Sequence, residues 1–433
     1  MRSHTFRSVA IALIAGCLPL AAAHPVDDLP ARVSAAVDRH APQALSLLED
    51  VVNINSGTMN VAGVKKVGDV FSRELGELGF RTRWIEGADF HRAGHLVAER
   101  DGTGPRVLLI GHLDTVFEAE SSFQRFERLS PTSARGPGII DMKGGDVVML
   151  TALRVLSDLQ LLGRLQVVVV MTGDEEDPGE PLAAARQALL DAASGVSVAL
   201  GFEDGSGDPR RAIVSRRGFT GWKVSVTGTP AHSSQVFTER VGAGAIYELS
   251  RVLNGFYERL SREELLSVNP GVALGGTTVD FDEPHSKGTA AGKTNVVAGN
   301  AVATGDIRAF TPAQLDAAKQ TMRDVAQASL PRTSATLTFD DSYPPMPPSD
   351  GNRRLLTMYD QASRDLGLGP VAPTDPRAAG AADVSFIADR VPQVIDGIGL
   401  MGTDDHTARE TADLTTLASQ AKRAALLLAR LTN

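Results

Sequence analysis

Leu165-Gln166-Val167-Val168-Val169-Val170-Met171-Thr172-Gly173-Asp174-Glu175-Glu176-Asp177 is the stretch on which the fold turns. Residues 167–171 are apolar without a break, the pattern of a strand buried on both faces of a helix-covered parallel sheet. The four acids at 174–177 would ordinarily be solvated surface. Directly after such a strand, however, they stand at the carboxyl edge where open α/β sheets place ligands. Residues 107–110 and 196–200 repeat the continuous apolar pattern, and helical spacing over 147–162 separates the first two strands. Upstream, Leu45, Leu47, Leu48, Val51 and Val52, then Val67, Val70, Phe71, Leu75 and Leu78, predict two helices. The expected fold class is α/β, with a mostly parallel sheet under helical cover.

From about Arg216 the texture changes. Alternation over 220–226, a helix over 242–259, strands over 272–281 and 296–307, a helix after Pro312 and a strand over 335–339 spell β-α-β-β-α-β. That order predicts a ferredoxin-like α+β insert. Tyr343-Pro344-Pro345-Met346-Pro347-Pro348 reads as the return linker, and helices over 353–366 and 414–431 rejoin the first domain. The expected organisation is a leader at 1–23, a first domain split into 24–215 and 342–433, and the insert at 216–341.

With 433 residues the chain is long enough for two domains, and a net charge of -9 without a long basic run excludes a nucleic-acid footprint. Arg2 and Arg7 precede an apolar stretch over 9–20 and small residues Ala21, Ala22 and Ala23, the pattern of a secretory signal. No later segment has the length of a spanning helix, so the protein is not expected to be transmembrane. Cys17, the only cysteine, sits in a sequence resembling a lipoprotein cleavage box. Cleavage near Ala23, giving a periplasmic or secreted protein, is the favoured expectation, with anchoring through Cys17 the alternative. After cleavage at Ala23, disulfides, a thiolate nucleophile and a cysteine metal site are all excluded.

Seven acids and imidazoles stand at or near strand ends: His112, Asp114, Asp141, Glu175, Glu176, Glu203 and His406. Residues i and i+2 of an extended chain point the same way, so Asp114 can hold one nitrogen of His112 while the other faces a metal. Asp141, between Gly138 and Gly144-Gly145, lies where backbone approaches an ion closely, and its carboxylate can bridge two cations; it can also cap the helix that follows. Glu175 and Glu176 diverge at a strand end, so one can bind metal while the other takes a proton from the attacking water. Glu203 and Asp204 compete for one ligand position, and Asp404, Asp405, His406 and Glu410 bring a second imidazole with nearby carboxylates.

In order, GHLDTV, GPGIIDMKGG, GDEE, FED and DDHTARE resemble the dizinc aminoacylase and carboxypeptidase metallopeptidase family, most closely its bacterial glutamate carboxypeptidase branch. The resemblance spans nearly the whole chain beyond the leader, and implies a zinc-exopeptidase catalytic domain carrying a lid and dimerisation insert. It implies Asp141 as the bridging ligand, His112 and Glu203 on one Zn2+, and Glu176 and His406 on the other. Co2+ or Mn2+ can substitute. Glu175 matches the general base and Asp114 the residue orienting His112, and the match of FED favours Glu203 over Asp204. His232 in GTPAHSS matches a histidine that reaches a dimer partner's site, while Asn295 and Arg308 match lid positions that hold a substrate carboxylate. One departure is Arg377-Ala378-Ala379-Gly380-Ala381-Ala382-Asp383, where relatives commonly carry Ser or Thr before the aspartate. Ala382 lacks that hydroxyl, which puts an inherited glutamate preference in question.

The expected activity is hydrolysis of an amide bond in a small peptidyl or N-acyl amino acid with a free carboxylate, releasing a C-terminal residue such as glutamate. Lid closure is implied with hinges near 215 and 342, and a homodimer through the lid. An N-acyl amino acid deacylase or dipeptidase on the same centre is the nearest alternative. A non-catalytic metal or peptide binder is disfavoured by the retention of Glu175, and a serine hydrolase by the lack of a GxSxG elbow.

Overall fold

The computed structural model describes Met1, residues 28–283 and residues 285–432. The expected leader at 1–23, apart from Met1, lies outside the described residues, and Cys17 with it. Helices α1 (Leu29–Val52) and α2 (Val61–Glu77) open the described chain. Val64, Val67, Phe71 and Leu75 make one buried stripe on α2, and Asn60 caps it by accepting from the Gly63 N–H at 3.1 Å. Next come β1 (Arg81–Glu86), β2 (Gly94–Arg100) and β3 (Arg106–His112). The hairpin β4 (Glu127–Ser130) and β5 (Ser133–Arg135) leads to α3 (Lys143–Asp158), β6 (Gln166–Thr172), α4 (Leu182–Ala192), β7 (Val198–Gly201) and the short β8 (Arg211–Ala212).

The main sheet has the order β1-β2-β6-β3-β7, closed on its far edge by a short late strand described below. β3 pairs parallel with both β6 and β7, while β1 and β2 join antiparallel on one side. Period-two alternation divides the continuous apolar runs between two cores. Val107, Leu109, Val167, Val169 and Met171 face one cluster with α1 and α3; Leu108, Ile110, Val168 and Val170 face another with α4. Burying each such side chain contributes about 1.5–3 kcal/mol, which is why both faces must be apolar. The sheet is mainly parallel as expected, and the antiparallel β1–β2 edge is an addition. Arg81, Arg83 and Glu86 leave β1 partly exposed, with too little apolar continuity to stand out, and such charges protect a sheet edge from further pairing.

The inserted unit runs through β9 (Thr220–Thr227), α5 (Ala245–Leu260), β10 (Ser267–Gly276), β11 (Thr278–Asp282), β12 (Lys287–Ala291), β13 (Asn300–Arg308), α6 (Pro312–Gln327) and β14 (Ser334–Asp341). Its antiparallel sheet has the order β10-β13-β9-β14, the split β-α-β arrangement, over a core of Trp222, Val224, Phe256, Ala303 and Met322. Three expected boundaries change. The strand expected over 272–281 breaks after Gly276, where an added Cβ would stand 2.6 Å from the Ala291 carbonyl oxygen. There the chain leaves the four-stranded sheet for the separate β11–β12 hairpin. The strand expected from 296 starts at Asn300. The helix expected from 242 starts at Ala245, because Gly242 and Gly244 have φ of 70° and 82°, outside helical geometry.

The returning chain forms α7 (Asp350–Asp365), β15 (Ala372–Pro373), β16 (Val394–Ile395), β17 (Gly402–Thr403), β18 (Thr411–Asp413) and α8 (Thr415–Arg430). β16 extends the main sheet parallel to β7, β15 pairs with β8, and β18 pairs with β5. The last pairing brings the 404–410 loop against the 136–142 loop. Among the described residues no helix is long and apolar enough to cross a membrane.

Candidate metal centre

His112 ends β3, Glu175 and Glu176 follow β6, and Glu203 follows β7, so parallel pairing gathers all four at one carboxyl edge. The β5–β18 pairing supplies the rest by setting Asp141 beside His406. Asp141 lies between two imidazoles: His112 Nε2 is 3.1 Å from its Oδ1, and His406 Nε2 is 2.9 Å from its Oδ2. His112 Nε2 also lies 3.6 Å from Glu203 Oε1, and His406 Nε2 lies 3.2 Å from Glu176 Oε2.

Asp114 does more than face His112. His112 Nδ1 donates to the Asp114 backbone oxygen at 3.1 Å, with the carboxylate standing off at 3.4 Å. That carboxylate accepts from Thr58 Oγ1 at 2.7 Å and from the Glu175 and Glu176 N–H groups at 3.0 and 3.1 Å. One residue thereby fixes both the first histidine and the start of the acidic run. Asp141 makes no helix cap: α3 begins without a side-chain cap.

The electrostatics follow from burial of many carboxylates together. Burial raises Glu175 well above the ordinary carboxylate range, and Asp383, Glu176 and Asp141 reinforce this against His112. Burial, then Asp141, lifts Glu176 to about 7. Glu203 and Asp204 are likewise raised, by burial first and then by Asp141. Burial opposes ionisation of Asp141 too, but His112 and His406 hold it well below the usual range. Hydrogen bonds to Asp141 and Glu176 push His406 up to about 11. Such a surplus of buried negative charge calls for cations.

Among the described residues, three sets of ligand atoms each lie within 4.8 Å of one another: His112, Glu175 and Glu203; His112, Asp141 and Glu176; and Asp141, Asp405 and His406. Asp204 is in none of them. Glu176 Oε1 is buried without a hydrogen-bond partner among the described residues, an acceptor left unsatisfied. The donor set of imidazoles and carboxylates fits divalent ions of the zinc, cobalt and manganese kind.

The three insert residues stand apart from this cluster. His232 is exposed, with Nδ1 2.9 Å from Ser234 Oγ. Asn295 is exposed, and its carbonyl accepts from the Ser233 N–H at 2.9 Å. Arg308 pairs with Asp306 at 2.9 Å and lies over the Phe219 ring. Among the described residues no hydrogen bond or ion pair joins any of them to the acidic cluster.

A supporting shell was not legible as such. Glu410 accepts from the N–H groups of Gly138, Ile140 and Asp141 at 2.9, 2.8 and 3.2 Å, bracing the loop that presents Asp141. Asp396 accepts from the Glu203 N–H at 3.4 Å and pairs with buried Arg216 at 2.8 Å. Buried Arg186 binds Asp174 at 2.7 Å and approaches Asp383 at 2.9 Å. Asp146 is buried beneath Gly111, where an added Cβ would be 2.0 Å from its Oδ1; burial holds its carboxyl well above the usual range. The available signals were that Asp174 and Glu410 share motifs with ligand candidates and that Asp383 ends the stretch 377–383.

The model of peptidase family M20/M25/M40 matches residues 108–431. The chain belongs to this family. It is a hydrolase of the metallopeptidase class. It is 24% identical over 394 residues to carboxypeptidase G2 of Pseudomonas sp. (strain RS-16), covering 89% of each chain. In fold it resembles the aminopeptidase PepT of Bacillus cereus ATCC 10987, with a TM-score of 0.72 at 16% identity over 91% of this chain and 99% of that one. It also resembles Bacillus subtilis YXEP, described as a dinuclear metal-binding peptidase, with a TM-score of 0.61 at 14% identity over 91% and 98%.

Proposed function

We propose that this chain is an exported dizinc exopeptidase that releases a C-terminal amino acid, such as glutamate, from a small peptidyl or N-acyl substrate. The observation that carries the reading is Asp141 between His112 and His406, with Glu203 approaching the same His112 Nε2 and Glu176 the same His406 Nε2 that face Asp141. Asp141 would be shared by two ions, His112 and Glu203 would complete one set and Glu176 and His406 the other. Zinc bound there would acidify water and polarise the scissile carbonyl.

Glu175, buried beside His112 and Glu203 but outside the ligand assignment, takes the proton of the attacking water and returns it to the leaving amine. Asp114 holds the Glu175 and Glu176 N–H groups, so the base and its neighbouring ligand are set by one carboxylate. Arg308 and Asn295 would hold the substrate carboxylate, Arg308 exchanging Asp306 for it on closure of the insert. His232 would donate to the oxyanion across a homodimer. That dimer is supported by exposed Ile246, Tyr247 and Tyr257 on α5 next to the free edge of β10. The leader pattern over 2–23 supports export with cleavage near Ala23.

The test combines metal content with turnover of a panel of N-acyl and peptidyl amino acids and dipeptides. The wild type is expected to hold two ions per chain. Glu175→Ala is expected to keep them and lose about 10²–10⁴-fold in kcat, the usual contribution of a general base. An active Glu175→Ala variant would remove the base assignment; a metal-free wild type without turnover would remove the whole reading.

A further inference from the structure

The peptide group joining Glu175 to Glu176 is held on both of its edges. Its N–H, that of Glu176, donates to Asp114 Oδ2 at 3.1 Å, and its carbonyl accepts from the Tyr343 hydroxyl at 2.6 Å. Asp114 is part of the catalytic edge, but Tyr343 belongs to the segment returning from β14. The Tyr343 carbonyl accepts from the Phe219 N–H at 2.8 Å, and Met346 pairs antiparallel with Arg216. These outgoing and returning segments are the two tethers of the inserted unit.

The direction of the hydroxyl is decided by its second neighbour. Arg186 Nη2 lies 2.9 Å away and can only donate, so the tyrosine oxygen accepts from it and its own proton goes to the Glu175 carbonyl. Arg186 is itself immobilised. It is buried, its Nη1 and Nη2 donate to Asp174 Oδ1 and carbonyl at 2.7 and 3.1 Å, and its Nε lies 2.9 Å from Asp383 Oδ1. Asp383 in turn accepts from Thr172 Oγ1 at 2.6 Å, and the Tyr343 ring packs on Phe386 with centroids 5.1 Å apart. Every contact of the hydroxyl is therefore to a group fixed from behind.

We propose that Tyr343 is a positioning residue that locks the peptide plane between Glu175 and Glu176, and so ties the aim of the base to the tether of the inserted unit. Rotation of that plane would swing the two carboxylates in different directions. The inference rests on the reading of Glu175 as base. Displacement of the base by about 1 Å is the kind of change that costs about 100-fold.

Tyr343→Phe in the metal-loaded full chain removes the hydroxyl and keeps the ring. With the panel substrate that the wild type turns over fastest, kcat is expected to fall about 10- to 100-fold with KM changed by less than about threefold, the signature of an interaction used mainly in the transition state. Two ions should remain bound, and hydrogen exchange of the Glu176 amide should accelerate in metal-loaded and metal-free protein alike. Met346→Ala, a buried change on the same tether that among the described residues has no hydrogen bond to Glu175, controls for general loosening and should leave kcat and this exchange near wild type. Should Tyr343→Phe fail to fold, Tyr343→4-aminophenylalanine keeps the donor to the Glu175 carbonyl while accepting poorly from Arg186, and is expected to keep most of the kcat. Unchanged kcat and exchange in Tyr343→Phe, loss of metal from it, an equal effect in Met346→Ala, or loss of kcat in the 4-aminophenylalanine variant would each overturn the inference. Full activity in Glu175→Gln would instead overturn the base assignment, leaving the exchange result to judge whether Tyr343 holds the peptide.

Discussion

Glu410 gathers three backbone donors of the loop that presents Asp141, and its side chain is fully buried with them. Burial pushes its carboxyl up to about 8 while the three N–H groups pull it down. Glu410→Ala strands those donors, each at about 1–3 kcal/mol. The expected outcome is metal affinity weakened about 10- to 100-fold, the usual effect of losing a ligand's support, read by competition with a chelator. His95 offers a separate test. Its Nδ1 accepts from the Gly173 N–H at 3.2 Å and its Nε2 donates to the Ala185 carbonyl at 2.7 Å, so the buried ring is neutral. Burial depresses its pKa below 6.5 although Asp174 pulls the other way. The unfolded chain thus binds more protons between the depressed value and 6.5, and stability falls as pH drops below 6.5. Melting of metal-free wild type from pH 7 to 5 should show a steeper loss than His95→Gln. His112 and Asp141 were legible as residues because each motif displays its own chemistry. Arg186 and Asp396 were not, because an ion pair across the fold leaves no local pattern.

At the scale of elements, one of the tightest constraints is where α3 crosses the end of β7. A Cβ at Gly145 would stand 1.8 Å from the Phe202 carbonyl oxygen, backbone that cannot rotate away. Gly145→Ala is expected to lose about 1–3 kcal/mol, toward the upper end, in urea unfolding. Gly163→Ala, with nothing nearer than Arg100 Nη1 at 3.9 Å, should be close to neutral. Strands β3, β6 and β7 were legible because burial on both faces writes an unbroken apolar run. β1, β16 and the β11–β12 hairpin were not: they are polar, very short or set by a close backbone approach, none of which periodicity registers.

For the whole molecule, the free edge of β10 and the exposed Ile246, Tyr247 and Tyr257 of α5 leave apolar surface that a second copy would cover. The proposed dimer predicts that Ile246→Asp with Tyr257→Asp halves the mass measured by light scattering. If His232 works across the interface, kcat should fall in step with dissociation while both metals stay bound. A wild type monomeric and fully active at the assay concentration would remove this prediction.

The seven acids and imidazoles, the parallel sheet and the β-α-β-β-α-β insert were determined by the sequence alone. Each is written in local pattern: side-chain chemistry at a strand end, continuous burial, alternation and turn. What only the tertiary structure decided is which of these groups meet, and what stands behind them. Asp141, already beside His112, meets His406 because β18 pairs with β5, and Glu175 is held by Asp114 from one side and Tyr343 from the other. Those meetings join residues far apart in the chain, where the geometry of hydrogen bonds and the exclusion of water act across space and leave no trace in neighbouring letters.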